Sequence, residues 1–225
     1  MVRINIIVEG QTEEKFVKEL IQSNLAAHEV YIIPRCIETS RNSKGKIYRG
    51  GVTTYEKIKN DILRWIKQDK GAYVTTMFDL YRLPSDFPEY DKISFIKDPI
   101  EKVTKIEQAF HNDINEKNFI PYIQLHEFEA LLYCDVNKID DILRLNHNSK
   151  SMNKQLQLIV NQFNSPEEIN DNPDTAPSKR LLKLYSWYQK TTDGILIAKQ
   201  IGIQNMTDQC KHFSAWLEKL KSLQK

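Results

Sequence analysis

Four short runs rich in β-branched and aromatic residues recur along the first part of the chain: INIIVE (4–9), EVYIIPRC (29–36), AYVTTMFD (72–79) and FIPYIQLH (119–126). Between the first two, Phe16, Val17, Leu20, Ile21 and Leu25 recur at helical spacing. TYEKIKNDILRWIKQ (54–68) and residues 99–113, with Val103, Ile106 and Phe110 on one face, read as amphipathic helices before the next two runs. Strands that alternate with helices predict βαβ units and a mostly parallel sheet, because a parallel pair needs a long crossover between its strands. The expected fold class is therefore α/β, a sheet flanked by helices.

From residue 136 the pattern changes. NKIDDILRL, SMNKQLQLIVNQF, SKRLLKLYSWYQK, GILIAKQIGI and MTDQCKHFSAWLEKLKSLQK all read as helices, interrupted by the proline-containing linker NSPEEINDNPDTAPSK (164–179). EFEALLY (127–133) also reads as helical. The expected organisation is an α/β core over residues 1–135 and a helical C-terminal cap over 136–225. The stretch ETSRNSKGKIYRGGV (38–52) is polar, basic and glycine-containing and reads as a loop. LYRLPSDFPEYDK (80–92) reads as a second, proline-broken loop.

A net charge of +2 announces no global basic field, so nucleic-acid binding would have to come from local patches. Cys36, Cys134 and Cys210 are widely spaced and odd in number, which fits neither a disulfide framework nor a CxxC metal pair and suits a reducing cytoplasm. The apolar opening is too short for a secretory signal, and no segment approaches the roughly 18 apolar residues of a membrane span. The expectation is a cytoplasmic protein without a membrane partner.

Three of the four strands end in acids: Glu9, Asp79, and His126-Glu127 with Glu129 close behind. Sites in open parallel sheets form beyond the carboxyl ends of the strands. Glu13 lies one helical turn beyond Glu9, so neighbouring strands would bring several carboxylates to one sheet edge. Such carboxylates repel one another, and a divalent cation relieves the repulsion. Oxygen-only ligands suit Mg²⁺ or Mn²⁺, ions that pair with phosphate oxygens and activate water. Taken singly, each acid reads equally well as a partner for the N-terminus of the helix that follows it. Thr12 is the expected cap of the first helix.

VEGQTEEKF (8–16), followed by a later strand that ends in Asp79, resembles the Toprim domain of topoisomerases, primases, recombination proteins and OLD-type (overcoming lysogenization defect) nucleases. TTMFDLYRLPSDFP (75–88), FIPYIQLHEFEALLY (119–133) and APSKRL (176–181) are similar to a bacterial family known as domain of unknown function 4276. The resemblance implies a Toprim/Rossmann-like sheet. It implies Glu9 as metal ligand and general acid/base, Glu13 and Asp79 as metal ligands, and Glu127 or Glu129 as further ligands. Toprim domains carry Asp-x-Asp at the later strand; here Tyr81 stands at the second position, which removes one carboxylate. Lys179 or Arg180 would be the late basic residue that steadies charge on phosphorus.

The basic loop adds Lys44, Lys46 and Arg49 around Tyr48, a composition that suits backbone contact with nucleic acid and equally suits a solvated loop. His126, beside the acids, reads either as a water-positioning group or as an ordinary hydrogen-bonded histidine. Trp187, Tyr188, Phe213 and Trp216 read as core. No Walker A string occurs. The chain lacks room for topoisomerase gate domains and lacks a primase's zinc-ribbon cysteines. The expectation is a Mg²⁺- or Mn²⁺-dependent nuclease acting on DNA or RNA. By resemblance it would be an effector of anti-phage defence served by an ABC- or AAA-type ATPase, with a homodimer as a further expectation. The alternative is a non-catalytic binding module for such an ATPase. A small-molecule phosphotransferase using the same acids is a weaker third reading.

Overall fold

In the computed structural model, the structure describes residues 1–41, 47–49, 54–93, 95–170 and 173–224. In chain order the strands are β1 (Val2–Val8), β2 (Val30–Cys36), β3 (Glu38–Arg41), β4 (Ile47–Arg49), β5 (Ala72–Asp79), β6 (Phe119–Ile120) and β7 (Ile123–Gln124). The helices are α1 (Gln11–Phe16), α2 (Gln22–Ala26), α3 (Tyr55–Gln68), α4 (Tyr90–Ile93), α5 (Pro99–Ile114), α6 (Val136–His147), α7 (Asn153–Val160), α8 (Pro177–Leu184), α9 (Ile195–Gln209) and α10 (Lys211–Lys221). Backbone contacts divide the chain into two compact units, Met1–Gln124 with Lys219–Lys225, and Leu125–Glu218. Among the described residues no helix is long and apolar enough to cross a membrane.

The first unit is built on a five-stranded sheet with the order β2-β1-β5-β6, β7 also pairing with β5. Every pairing in it is parallel. The register places Val8 beside both Cys36 and Met77, so β1 and β2 end together and β5 runs two residues further, to Asp79. Ile4, Ile6, Ile7 and Val8 of β1 are completely buried, as a central parallel strand covered on both faces requires. α3 packs on β5 and α5 on β6. Phe110 of α5 makes edge-to-face contacts with Tyr55, Phe87 and Phe119, their centroids 4.8–5.9 Å apart, and anchors that side of the core. α5 begins at Pro99, with the Asp98 side chain accepting from the Glu101 amide, and ends at Asn115 in the left-handed region.

Four local expectations change. The run 119–126 is two short strands, because Pro121 has no N–H for the ladder; Thr76 Oγ1 instead takes the Tyr122 amide at 3.0 Å. The stretch expected as a loop at 38–52 contains an antiparallel pair, β3 with β4. The first helix is capped by extended Gly10, and Thr12 lies buried inside the first turn. A π-helical turn at Val17–Ile21 joins α1 to α2.

The second unit is helical. A 3₁₀ segment, Phe128–Cys134, is wholly buried and packs against α6, α8 and α9. Residues 127–133 were expected to be helical, and the tighter winding accommodates a stretch buried on every side. α8 starts at Pro177, inside the expected linker, where proline's missing N–H costs nothing. Gly202, with φ of 78°, kinks α9.

Candidate metal and phosphodiester site

Glu9 follows β1 directly, and Asp79 ends the neighbouring β5, so parallel pairing delivers both acids to the carboxyl edge of the sheet. Both are nearly fully buried, at 4% and 2% exposure. Glu9 Oε1 accepts the Asp79 backbone amide at 2.8 Å, which fixes the first carboxylate against the second strand end. Glu13, also buried, sits one turn into α1 and folds back on the strand end. A methyl group added at Gly10 would meet its Oε2 at 3.5 Å. Cys36, at the matching end of β2, donates its thiol to Glu14 Oε2 at 3.2 Å and to the Gly10 carbonyl at 3.5 Å.

Burial pushes the Glu9 carboxyl well above the usual carboxylate range, and the charges of Asp79 and Glu13 push it further. The Asp79 amide and the Arg82 guanidinium act in the opposite direction. Arg82 was not singled out in the sequence. Burial would lower its pKa, but the Tyr81 hydroxyl, 3.2 Å from its Nε, together with Asp79 and Glu9, holds it above the ordinary arginine value. Tyr81, in the place of a second aspartate, orients this cation through its hydroxyl and its ring, with Arg82 5.6 Å from the ring centroid.

Among the described residues no three His, Cys, Asp or Glu side chains form a ready-made metal-ligand group. Mg²⁺ does not require one, because it keeps several waters and commonly takes one or two protein carboxylates plus substrate phosphates. The donor chemistry fits such an ion: oxygen ligands, two of them buried side by side, and a carboxyl whose ionisation is opposed by its neighbours.

Of the remaining expected site residues, Glu127, Glu129, Lys179 and Arg180 lie in the second unit. Glu127 caps the N-terminus of α8: its Oε1 accepts the Ser178 amide and its Oε2 the Ser178 hydroxyl at 3.0 Å. Glu129, fully buried, pairs with Lys190 at 3.1 Å and accepts from the Tyr188 hydroxyl at 3.4 Å. His126 has a positive φ of 66°, and its Nδ1 lies 3.2 Å from Asn170 Nδ2. Lys179 is exposed at the start of α8. Arg180 gives its Nε to the Thr175 carbonyl at 2.6 Å and lies over Phe163, so it is tied into the local packing. Lys44 and Lys46 fall outside the described residues, and Arg49 is described only as a strand position. Among the partners of the two acids, Tyr188 was read only as core, Ser178 only as part of APSKRL, and Lys190 carried no signal of its own in the sequence.

Comparison with solved structures finds the C-terminal region of the OLD protein of Xanthomonas campestris pv. campestris, 14% identical, at a TM-score of 0.50. The match covers 99% of this chain and 94% of that one. The corresponding region of the Burkholderia pseudomallei OLD protein is 15% identical at a TM-score of 0.47, with 100% of both chains covered. The Xanthomonas similarity shows a shared Toprim-like fold: a mostly parallel sheet flanked by helices, with a helical C-terminal region. Comparison with curated proteins returns no match. The chain matches a family profile over residues 8–221, and it belongs to the family described as Domain of unknown function (DUF4276).

Proposed function

We propose that the protein is a Mg²⁺- or Mn²⁺-dependent nuclease that hydrolyses phosphodiester bonds of DNA or RNA at the carboxyl edge of its parallel sheet. The observation that carries this reading is the pair of buried carboxylates, Glu9 and Asp79, with Glu13 adding a third charge and Arg82 an opposite charge that acts on Glu9. Asp79 and Glu9 would hold the cation, with Glu13 adding negative charge beside them. When bound, such an ion polarises the scissile phosphate and lowers the pKa of a water.

The chain's own residues account for the rest of the reading. The Asp79 amide holds Glu9 Oε1 in place. The raised pKa of Glu9 suits it to take a proton from an attacking water and return it to a leaving oxygen. Arg82, oriented by Tyr81, offers a guanidinium to a phosphate oxygen as negative charge develops there. The structural relatives are C-terminal regions of longer proteins, which supports a partner protein for this chain; that the partner is an ATPase is part of the proposal. A role in anti-phage defence belongs to the same proposal.

The test is cleavage of supercoiled plasmid and of single-stranded RNA with Mg²⁺ or Mn²⁺, using wild type and Asp79→Ala. Metal-dependent cleavage abolished in the variant is the expected result. Cleavage that persists in Asp79→Ala at the wild-type rate refutes the assignment. A second reading, a non-catalytic module that binds a partner, is favoured by Tyr81 in place of an aspartate. It predicts no cleavage by the wild type in the presence of either ion.

A further inference from the structure

Cys134 and Cys210 stand 76 residues apart in the sequence, yet their sulfurs lie 3.4 Å apart inside the second unit. Both thiols are free and buried, Cys210 completely and Cys134 at 7% exposure. Their backbones are held together independently of the sulfurs, since Gln209 Nε2 donates to the Cys134 carbonyl at 2.7 Å. Cys210 is the non-helical residue between α9 and α10, with φ of −110° and ψ of 91°. Cys134 ends the 3₁₀ segment. Each cysteine therefore sits at the end of a rigid element, where a small side-chain rotation closes the remaining distance to the ~2.05 Å of an S–S bond.

Cys134 lies on the wall of a cavity of about 440 Å³, lined in part by Asp135, Gln157, Phe163 and Gln209. Contact with Cys134, then burial, pushes the Cys210 thiol well up from its ordinary value, which makes it the poorer first nucleophile.

We propose that Cys134 and Cys210 form a redox-active dithiol that a hydroperoxide converts into an intramolecular disulfide. This inference is independent of the metal site. The Cys134 thiolate attacks one peroxide oxygen, the O–O bond breaks, and the departing hydroxide takes up the thiol's proton as water. The Cys134 sulfenic acid that results is then attacked by the Cys210 sulfur. The S–S bond forms, the S–O bond breaks, and the second hydroxide leaves with the Cys210 proton as water. In sum, two thiols and one hydrogen peroxide become one disulfide and two waters, and the electrons lost by sulfur reduce the peroxide. The product ties the end of the 3₁₀ segment to the α9–α10 junction and closes a long loop, so it stabilises the oxidised second unit.

The experiment treats the reduced full chain with hydrogen peroxide, then alkylates it under denaturing conditions and maps the peptides without reductant. The expected result is a fall from three alkylatable thiols to one, Cys36, with a Cys134–Cys210 cross-linked peptide that dithiothreitol releases. The thermal midpoint should rise by several degrees on oxidation. Cys36→Ser should behave as wild type, and Cys210→Ser should leave Cys134 as a sulfenic or higher acid. Three alkylatable thiols after oxidation, or cross-links only to Cys36 or between chains, overturn the proposal. Should Cys210→Ser fail to fold, the wild-type peptide map decides alone.

Discussion

Replacing Glu9 with glutamine should make the metal-free protein more stable at neutral and alkaline pH. Glu9 is 4% exposed, and its carboxyl is raised by burial, by Asp79 and by Glu13. A raised folded-state pKa means that the folded chain binds the proton more tightly than the unfolded chain does. The contribution of Glu9 to stability is fully present below the unfolded value of about 4.3. It is lost as pH rises through the folded value. Each unit of elevation costs about 1.4 kcal/mol once the group is ionised. Glutamine keeps an oxygen to accept the Asp79 amide and carries no charge, so the variant avoids this cost. Each 1.4 kcal/mol so recovered corresponds to a rise of roughly 3–6 °C in thermal midpoint for a chain of this size. Urea unfolding of both proteins at pH 5 and pH 8, in the presence of a chelator, reads the difference. The wild type should lose stability between the two pH values and the variant should lose less. A variant no more stable than wild type at pH 8, beside a wild type whose stability is flat over that range, would refute the reasoning.

Two further outcomes follow from the packing. Phe110→Ala removes a completely buried ring that contacts Tyr55, Phe87 and Phe119, and should cost about 3–5 kcal/mol by chemical denaturation. Asp140 behaves opposite to Glu9: burial alone would raise it, but the Tyr185 and Ser151 hydroxyls, the Met152 amide and Arg144 bring it below the ordinary value. Its stabilisation is therefore present above about pH 3.9 and lost as pH falls through the lowered folded value. Asp140→Asn should flatten the acid limb of the stability–pH profile, measured by fluorescence of unfolding from about pH 5 down to about pH 2.

How much of this was legible in the sequence depended on the range of the interactions. AYVTTMFD gave its strand to the residue, a run buried on both faces that ends at the charged Asp79. The convergence of Glu9 and Asp79 followed from parallel pairing, a rule of topology. Pro121 shows the limit of reading by composition: the strand-like residues around it are present, but the ladder breaks for want of one N–H. β3 and β4 left no apolar alternation to detect, because their residues are mostly polar. Thr12 looked like a cap from its residue type, whereas the helix begins one residue earlier, after Gly10. Glu127 and Glu129 carried a visible charge, but their partners Ser178, Tyr188 and Lys190 come some fifty to sixty residues later. A longer separation, 76 residues, hid Cys134 from Cys210. Arg82 was overlooked as one polar residue of a proline-broken loop, and only the 3₁₀ turn Leu80–Arg82 brings its charge to bear on Glu9 and Asp79.

The central claim is that buried acids at the ends of β1 and β5 hold a divalent cation, and calorimetric titration of Mn²⁺ into metal-free wild type and Asp79→Ala tests it most directly. The account predicts saturable, stoichiometric binding to the wild type that is lost in the variant. Absence of binding to the wild type, or equal binding by Asp79→Ala, would contradict it.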